Sequence, residues 1–187
     1  KDLTVLFSDI RGFTSISEHM SPETLVKFLN EYLTQMTDIV FKYDGLLDKY
    51  IGDAIMAIWG APLDQPDHAQ RASYTALEMV DALRTLQEKW VAEVMPRLNI
   101  GIGVNAGPMV VCNMGSDRRF DYTVMGHSVN LGSRLEGLNK LYWTNIIVSE
   151  MTYERVQEEI LGRALDSVRV IGIDQPIKIY ELIVRRS

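Results

Sequence analysis

A hairpin in the first third of the chain constrains the fold more than any other stretch. Two strand-like apolar runs, residues 47–51 and 54–59, are separated only by Gly52 and Asp53. A two-residue loop that begins with glycine joins antiparallel strands, because glycine adopts the positive φ angle that the turn needs. The carboxylate of Asp53 is then displayed at the tip of the turn. The pattern predicts a β-hairpin that presents an acidic side chain.

A second carboxylate follows another mainly apolar run, residues 3–7, which ends in Ser8 and Asp9. Taken alone, Asp53 is more often a turn residue, and Asp9 could cap the next helix or pair with Arg11. Two aspartates at the ends of neighbouring strands would supply the hard oxygen ligands that magnesium and manganese prefer. The two residues together predict a divalent-metal site.

Composition narrows the class of protein. The chain has 187 residues, 47% apolar and 24% charged, which is typical of one globular domain with a full core. Its net charge of −6 argues against a general nucleic-acid surface, so no nucleic-acid partner is expected. The single Cys112 excludes an internal disulfide and fits a reducing compartment. We expect a cytoplasmic catalytic module excised from a longer protein, with membrane contact only through segments outside this sequence.

Helical and strand patterns follow one another along the chain. The stretch Ser21-Pro22-Glu23 is a good helix start, because serine caps, proline fits the first turn, and glutamate suits the positive end of the helix dipole. Apolar residues then recur at helical spacing to about residue 43. The other predicted elements are strands at 1–9, 98–105, 109–113, 122–125, 145–148, 168–171 and 177–184, and helices at 67–94, 129–141 and after Ser149.

These elements predict an α+β fold in which helices cover a mainly antiparallel sheet. Residues 98–105 alternate, and Gly101 and Gly103 share one face of that strand, which lets a ligand or another backbone come close. Residues 109–113 are expected to return as its hairpin partner. His68, in the first turn of the 67–94 helix, is expected to be solvated.

Asn130 and Arg134 lie four residues apart in the 129–141 helix, so both should project from one face of it. The apolar positions of this helix fall on its other side.

Three motifs together resemble the class III nucleotidyl cyclase catalytic domain: residues 7–13 (FSDIRGF), 49–54 (KYIGDA) and 129–134 (VNLGSR). The resemblance covers essentially the whole chain. It implies a ferredoxin-like core with palm-type topology, and a head-to-tail homodimer with two active sites at the subunit interface. It also implies two divalent metal ions, Mg²⁺ or Mn²⁺, and conversion of ATP to 3′,5′-cyclic AMP and pyrophosphate.

The resemblance also implies roles for single residues. Asp9 and Asp53 match the metal-binding aspartates, and the carbonyl of Ile10 matches a further metal ligand. The other implied roles are purine reading by Lys49 and Thr123, nucleotide binding by Gly12 and Phe13, ribose orientation by Asn130, and transition-state stabilisation by Arg134.

A lysine donor and a threonine acceptor suit adenine, so ATP is expected rather than GTP. A guanylate cyclase, a non-catalytic dimerisation module and a structural cation site stay open as alternatives. Lys49 and Asp53 would tend to form an ion pair within one site, whereas the family arrangement places them on opposite chains of a dimer. Many family members carry a phosphate-gripping lysine where this chain has Ile171, so a weak hold on ATP or dependence on manganese is expected.

Overall fold

The computed structural model describes residues 1–187 as an α+β fold, as the sequence predicts. Its elements are β1 (Asp2–Ile10), α1 (Phe13–Glu18), α2 (Pro22–Lys42), β2 (Leu46–Ile51), β3 (Ala54–Trp59), α3 (His68–Ala92), β4 (Ile100–Pro108), β5 (Val110–Ser116), β6 (Arg119–Met125), α4 (His127–Tyr142), β7 (Ile146–Ser149), α5 (Glu150–Val156), β8 (Ile160–Val168) and β9 (Ile177–Arg185).

Seven strands form one sheet in the order β2-β3-β1-β4-β7-β9-β8. All neighbours are antiparallel except β4 and β7, which run parallel. Strand β1 lies between β3 and β4, and Ser8 pairs with Ile55 across β1 and β3. The predicted hairpin is confirmed, and Gly52 at its turn has a φ of 64°. This register brings the end of β1 beside the turn that carries Asp53.

Helices cover both faces of the sheet. On one side, Tyr32 of α2 and Met79 of α3 pack with Leu6 of β1 in the larger core. On the other side, α4 lies against β4 so closely that a Cβ at Gly103 would sit 2.4 Å from the backbone of Gly132 and Glu136. Of the two uses expected for the glycine-lined face, the structure therefore shows the approach of another backbone.

Two predicted caps are confirmed. The hydroxyl of Ser21 accepts a hydrogen bond from the N–H of Thr24 at the start of α2, and Ser149 accepts one from Thr152 at the start of α5. None of the helices is both long and apolar enough to cross a membrane.

Two strand predictions were wrong. Strand β5 pairs with β6 in a separate two-stranded sheet, not with β4, because β4 already has β1 and β7 as neighbours. The penultimate strand is β8 rather than residues 168–171. The β-branched residues that favoured a strand at 168–171 lie mostly in the connection to β9, where Ile171 is fully exposed.

The prediction for His68 was also wrong, because the first turn of α3 packs against β1. The imidazole is buried, with Nδ1 2.6 Å from Oγ1 of Thr4 and Nε2 3.2 Å from a carboxylate oxygen of Asp2. Helical periodicity shows which side of a helix is apolar, but not which strand its first turn meets.

Candidate active site

The carboxylates of Asp9 and Asp53 lie together at one end of the sheet. Asp9 stands next to the last residue of β1, and the backbone N–H of Ile10 donates a hydrogen bond of 2.9 Å to Oδ2 of Asp53. Burial raises the pKa of Asp9 to about 7, and the neighbouring Asp53 carboxylate and, more weakly, Glu136 contribute to the increase. The predicted proximity of the two aspartates is confirmed.

This carboxylate pair has no basic side chain within ion-pair distance. The chain contains no cluster of three or more His, Cys, Asp or Glu side chains suited to a metal, so a metal would rest on the two aspartates and main-chain oxygen. Two close, unpaired carboxylates repel each other, and a hard divalent cation relieves that repulsion. The residues present therefore fit Mg²⁺ or Mn²⁺.

Gly12 and Phe13 connect the carboxylate pair to α1. Gly12 precedes the helix with a φ of 64°, a left-handed conformation that favours glycine. The space around its Cα is open, because a Cβ there would meet nothing within 4 Å. Phe13, the first residue of α1, packs against the main core. The open backbone at Gly12 leaves room for a ligand beside the aspartates.

Asn130 and Arg134 project from α4 into solvent, while Leu131 and Leu135 on the same helix are buried. Neither polar side chain has a hydrogen-bond or ion-pair partner within the chain. The predicted shared face is confirmed, and both groups are free to contact a ligand. No hydrogen bond or ion pair joins them to the aspartate pair.

Lys49 and Thr123 both contact a residue that sequence reasoning missed. Lys49 Nζ lies 3.6 Å from Oδ1 of Asp48, and the Thr123 hydroxyl donates a hydrogen bond to Oδ2 of the same carboxylate. Lys49 forms no ion pair with Asp53 in the chain, although the sequence suggested that tendency. The signal that could have revealed Asp48 is a charged residue inside an otherwise apolar strand.

Strands β5 and β6 leave large apolar side chains in solvent on both faces of their hairpin, with Val110, Met114 and Met125 on one face and Phe120 and Tyr122 on the other. The strands pair only with each other and do not join the main sheet. Val110 and Met125 are direct cross-strand neighbours, and an exposed apolar pair of this kind is available for a protein–protein contact.

Comparison with known proteins shows similarity to nucleotidyl cyclases both in the family model and in single relatives. The family model described as "Adenylate and Guanylate cyclase catalytic domain" matches residues 1–183. An adenylate cyclase of Anabaena cylindrica is 40% identical over 96% of this chain, and adenylate cyclase 1 of Rhizobium meliloti is 33% identical over 98%. The matched region is 36% of the first relative's length and 28% of the second's.

Solved structures show the same similarity. The adenylyl cyclase CyaB from P. aeruginosa superimposes with a TM-score of 0.92 at 37% identity, covering 100% of this chain and 95% of that one. The guanylyl cyclase Cya2 superimposes with a TM-score of 0.86 at 36% identity, covering 97% of this chain and 91% of that one.

Proposed function

The chain belongs to the adenylate and guanylate cyclase catalytic domain family, and from this premise we propose that it converts ATP to 3′,5′-cyclic AMP and pyrophosphate. The observation that carries the proposal is the close pair of unpaired carboxylates, Asp9 and Asp53, at the end of the sheet. The adenylate cyclases among its relatives support the same reaction.

In this reaction the ribose 3′-oxygen attacks the α-phosphorus, and pyrophosphate departs from the opposite side. Asp9, Asp53 and the carbonyl of Ile10 would hold two divalent ions. When bound, Mg²⁺ or Mn²⁺ lowers the pKa of the attacking hydroxyl and offsets the charge of the triphosphate. The carboxylates themselves need rigid placement, which the end of β1 and the tight β2–β3 turn provide.

The exposed face of α4 supplies the other interactions. Arg134 presents a planar fork of N–H donors that suits phosphate oxygens as negative charge builds on them. Asn130, one turn away, can hydrogen-bond the ribose without competing for a cation. Gly12 and Phe13 follow Asp9 in the chain, and the open backbone at Gly12 can accommodate the nucleotide's phosphates beside the carboxylates proposed to bind metal.

A complete site needs two copies of this chain in our proposal. The aspartate pair and the group formed by Lys49, Thr123, Asn130 and Arg134 make no contact with each other in one chain. A head-to-tail homodimer would bring one chain's aspartates opposite its partner's α4, and the exposed apolar side chains of β5 and β6 are available for such an association. The cytoplasmic location also stays a prediction from the sequence.

Product analysis tests this function directly. The purified chain is incubated with ATP or GTP and with magnesium or manganese, and the products are separated by chromatography. We expect cyclic AMP as the main product. Cyclic GMP as the main product would favour the guanylate cyclase alternative, which the similarity to Cya2 keeps open. No cyclic product with any combination would favour a non-catalytic module.

A further inference from the structure

Asp48 is a carboxylate enclosed between the two sheets of the molecule. Its side chain has 0% solvent exposure. It lies in β2 where the pairing register with β3 shifts between Leu47 and Lys49, so Asp48 is the extra residue of a β-bulge. Bulges redirect side chains and often occur next to functional sites. Here the bulge directs the carboxylate towards Thr123 on β6.

The contacts of Asp48 determine whether its neighbours Thr123 and Lys49 can donate or accept a hydrogen bond to a ligand. The Thr123 hydroxyl donates to Oδ2 of Asp48 at 2.5 Å, and Lys49 Nζ lies 3.6 Å from Oδ1. A hydroxyl has one proton and two acceptor lone pairs. Once its proton is directed to the carboxylate, Thr123 can only accept a hydrogen bond from a ligand. Lys49, whose ammonium carries only donors, can only donate one.

We propose that Asp48 is the positioning residue that makes this site select adenine over guanine, by holding the Thr123 hydroxyl as an acceptor beside the Lys49 donor. The inference rests on the proposed function. Adenine offers an acceptor at N1 and a donor at its 6-amino group, which match Lys49 and Thr123. Guanine offers a donor at N1 and an acceptor at O6, so both contacts are mismatched.

A structural role accounts for only one of the two oxygens of this carboxylate. Oδ1 of Asp48 is buried and makes no hydrogen bond, because Lys49 Nζ is too far away for one. A buried acceptor without a partner destabilises a fold, and such groups are uncommon. An apolar residue would remove this unpaired oxygen, but it would leave the buried Thr123 hydroxyl without its acceptor. The carboxylate is accounted for by its effect on Thr123 and Lys49.

Substitution of Asp48 tests the proposal through nucleotide selectivity. In Asp48→Asn, the Lys49 ammonium attracts the amide oxygen, which turns the NH₂ group towards Thr123 and leaves that hydroxyl to donate. We expect the ratio of kcat/KM for ATP to that for GTP to fall about tenfold or more. Asp48→Leu removes the acceptor and should lower the ratio in the same direction. Asp38→Asn, at an exposed position on α2, is the matched control.

A double-mutant cycle shows whether Asp48 acts through Thr123. In a Thr123→Val background, Asp48→Asn should cause no further change in the ATP-to-GTP ratio, because the hydroxyl is already gone. A structural role for Asp48 predicts a different result. If Asp48→Asn lowers kcat/KM for both nucleotides equally, the proposal is overturned.

Inosine triphosphate tests the base selectivity of the wild-type protein, so this experiment does not require that any variant folds. Its base has the O6 acceptor and N1 donor of guanine without the 2-amino group. We expect its kcat/KM to be at least about tenfold below that of ATP. Equal use of the two nucleotides would overturn the proposal. If no nucleotide is cyclised, the proposed function fails. Base selectivity can then still be measured by calorimetry, as the difference in binding between α,β-methylene ATP and its inosine counterpart.

Discussion

The backbone N–H of Ile10 donates a hydrogen bond of 2.9 Å to Oδ2 of Asp53, a residue 43 positions later in the chain. This bond links the end of β1 to the turn between β2 and β3. The carboxylate of Asp9 adjoins that of Asp53, and both interact with the same Ile10 N–H. The bond therefore fixes the spacing of the two proposed metal ligands.

Asp53→Asn should abolish cyclase activity without unfolding the chain. The amide oxygen can still accept the Ile10 N–H, but the NH₂ group that replaces the second oxygen cannot bind a cation. We expect a loss of about 10²-fold or more in kcat, measured as cyclic AMP formed per chain, with Asp38→Asn as the exposed control. If Asp53→Asn produced cyclic AMP at a rate close to that of the wild type, the proposed two-metal mechanism would be wrong.

Asp9→Asn should stabilise the metal-free protein while removing its activity. The pKa of Asp9 is raised, so its carboxylate favours folding below its unfolded pKa of about 4 and opposes it as the pH rises through about 7. An amide removes that opposition at pH 8. Because the carboxylate is half-buried, solvent screening reduces the effect well below the full value of the pKa shift. We expect a gain of about 1 kcal/mol, or a Tm increase of roughly 2–4 °C, by calorimetry in chelator. A lower Tm for the variant at pH 8 would contradict this.

Two inactive variants should restore activity when mixed. Arg134→Ala removes the transition-state donor, at an expected cost of about 10²–10³-fold in kcat, and Lys178→Ala, at an exposed position on β9, is its control. In a head-to-tail dimer of Arg134→Ala with Asp53→Asn, one of the two sites keeps both residues. The mixture should recover about a quarter of wild-type activity. Activity that stays at the level of the separate variants would exclude a shared site.

Ile171→Lys should tighten the hold on ATP. Ile171 is 100% exposed in the connection between β8 and β9, so a lysine there should not disturb folding. The family resemblance places a phosphate-gripping lysine at this position, and a charged hydrogen bond to phosphate should lower KM for ATP about tenfold. Leu63→Lys adds the same charge at another exposed site. An equal decrease in KM for both variants would indicate a general charge effect.

His68 should make folding stability sensitive to mild acid. Burial lowers the pKa of His68, and the nearby Asp2 carboxylate opposes this without reversing it. The unfolded imidazole, with a pKa of about 6.5, then binds more protons than the folded one, so stability is full above that value and decreases as the pH falls below it. Between pH 7.5 and 5.5, wild-type Tm should fall roughly 2–4 °C more than that of His68→Gln. The same Tm loss in both would refute this, and His19→Gln, at an exposed site, should behave as wild type.

The local elements were predictable because their signals are local. Ser21 and Ser149 cap the helices that they were expected to cap, and the Gly52–Asp53 pair forms the expected turn. Strand partners were harder to predict. Strand β5 pairs with β6 because both sides of β4 are occupied, and a single stretch of sequence contains no information about that competition.

In the candidate site, too, some features were predictable from the sequence and others were not. The two aspartates were predicted from their places at strand ends, whereas the roles of Lys49, Thr123, Asn130 and Arg134 were implied by the family resemblance. Asp48 was missed, and outside the site His68 was wrongly expected to be solvated, since the surroundings of each depend on what another element places against it: β6 against Asp48, and β1 against His68.

The sequence by itself therefore determined the helices, most strands and the chemical groups available for catalysis, because backbone propensity and side-chain spacing act over a few residues. Only the tertiary structure decided which strands pair, that the Ile10 N–H binds Asp53, and that Thr123 donates to Asp48. Those relationships join residues separated by dozens of positions, and they depend on how the whole core packs.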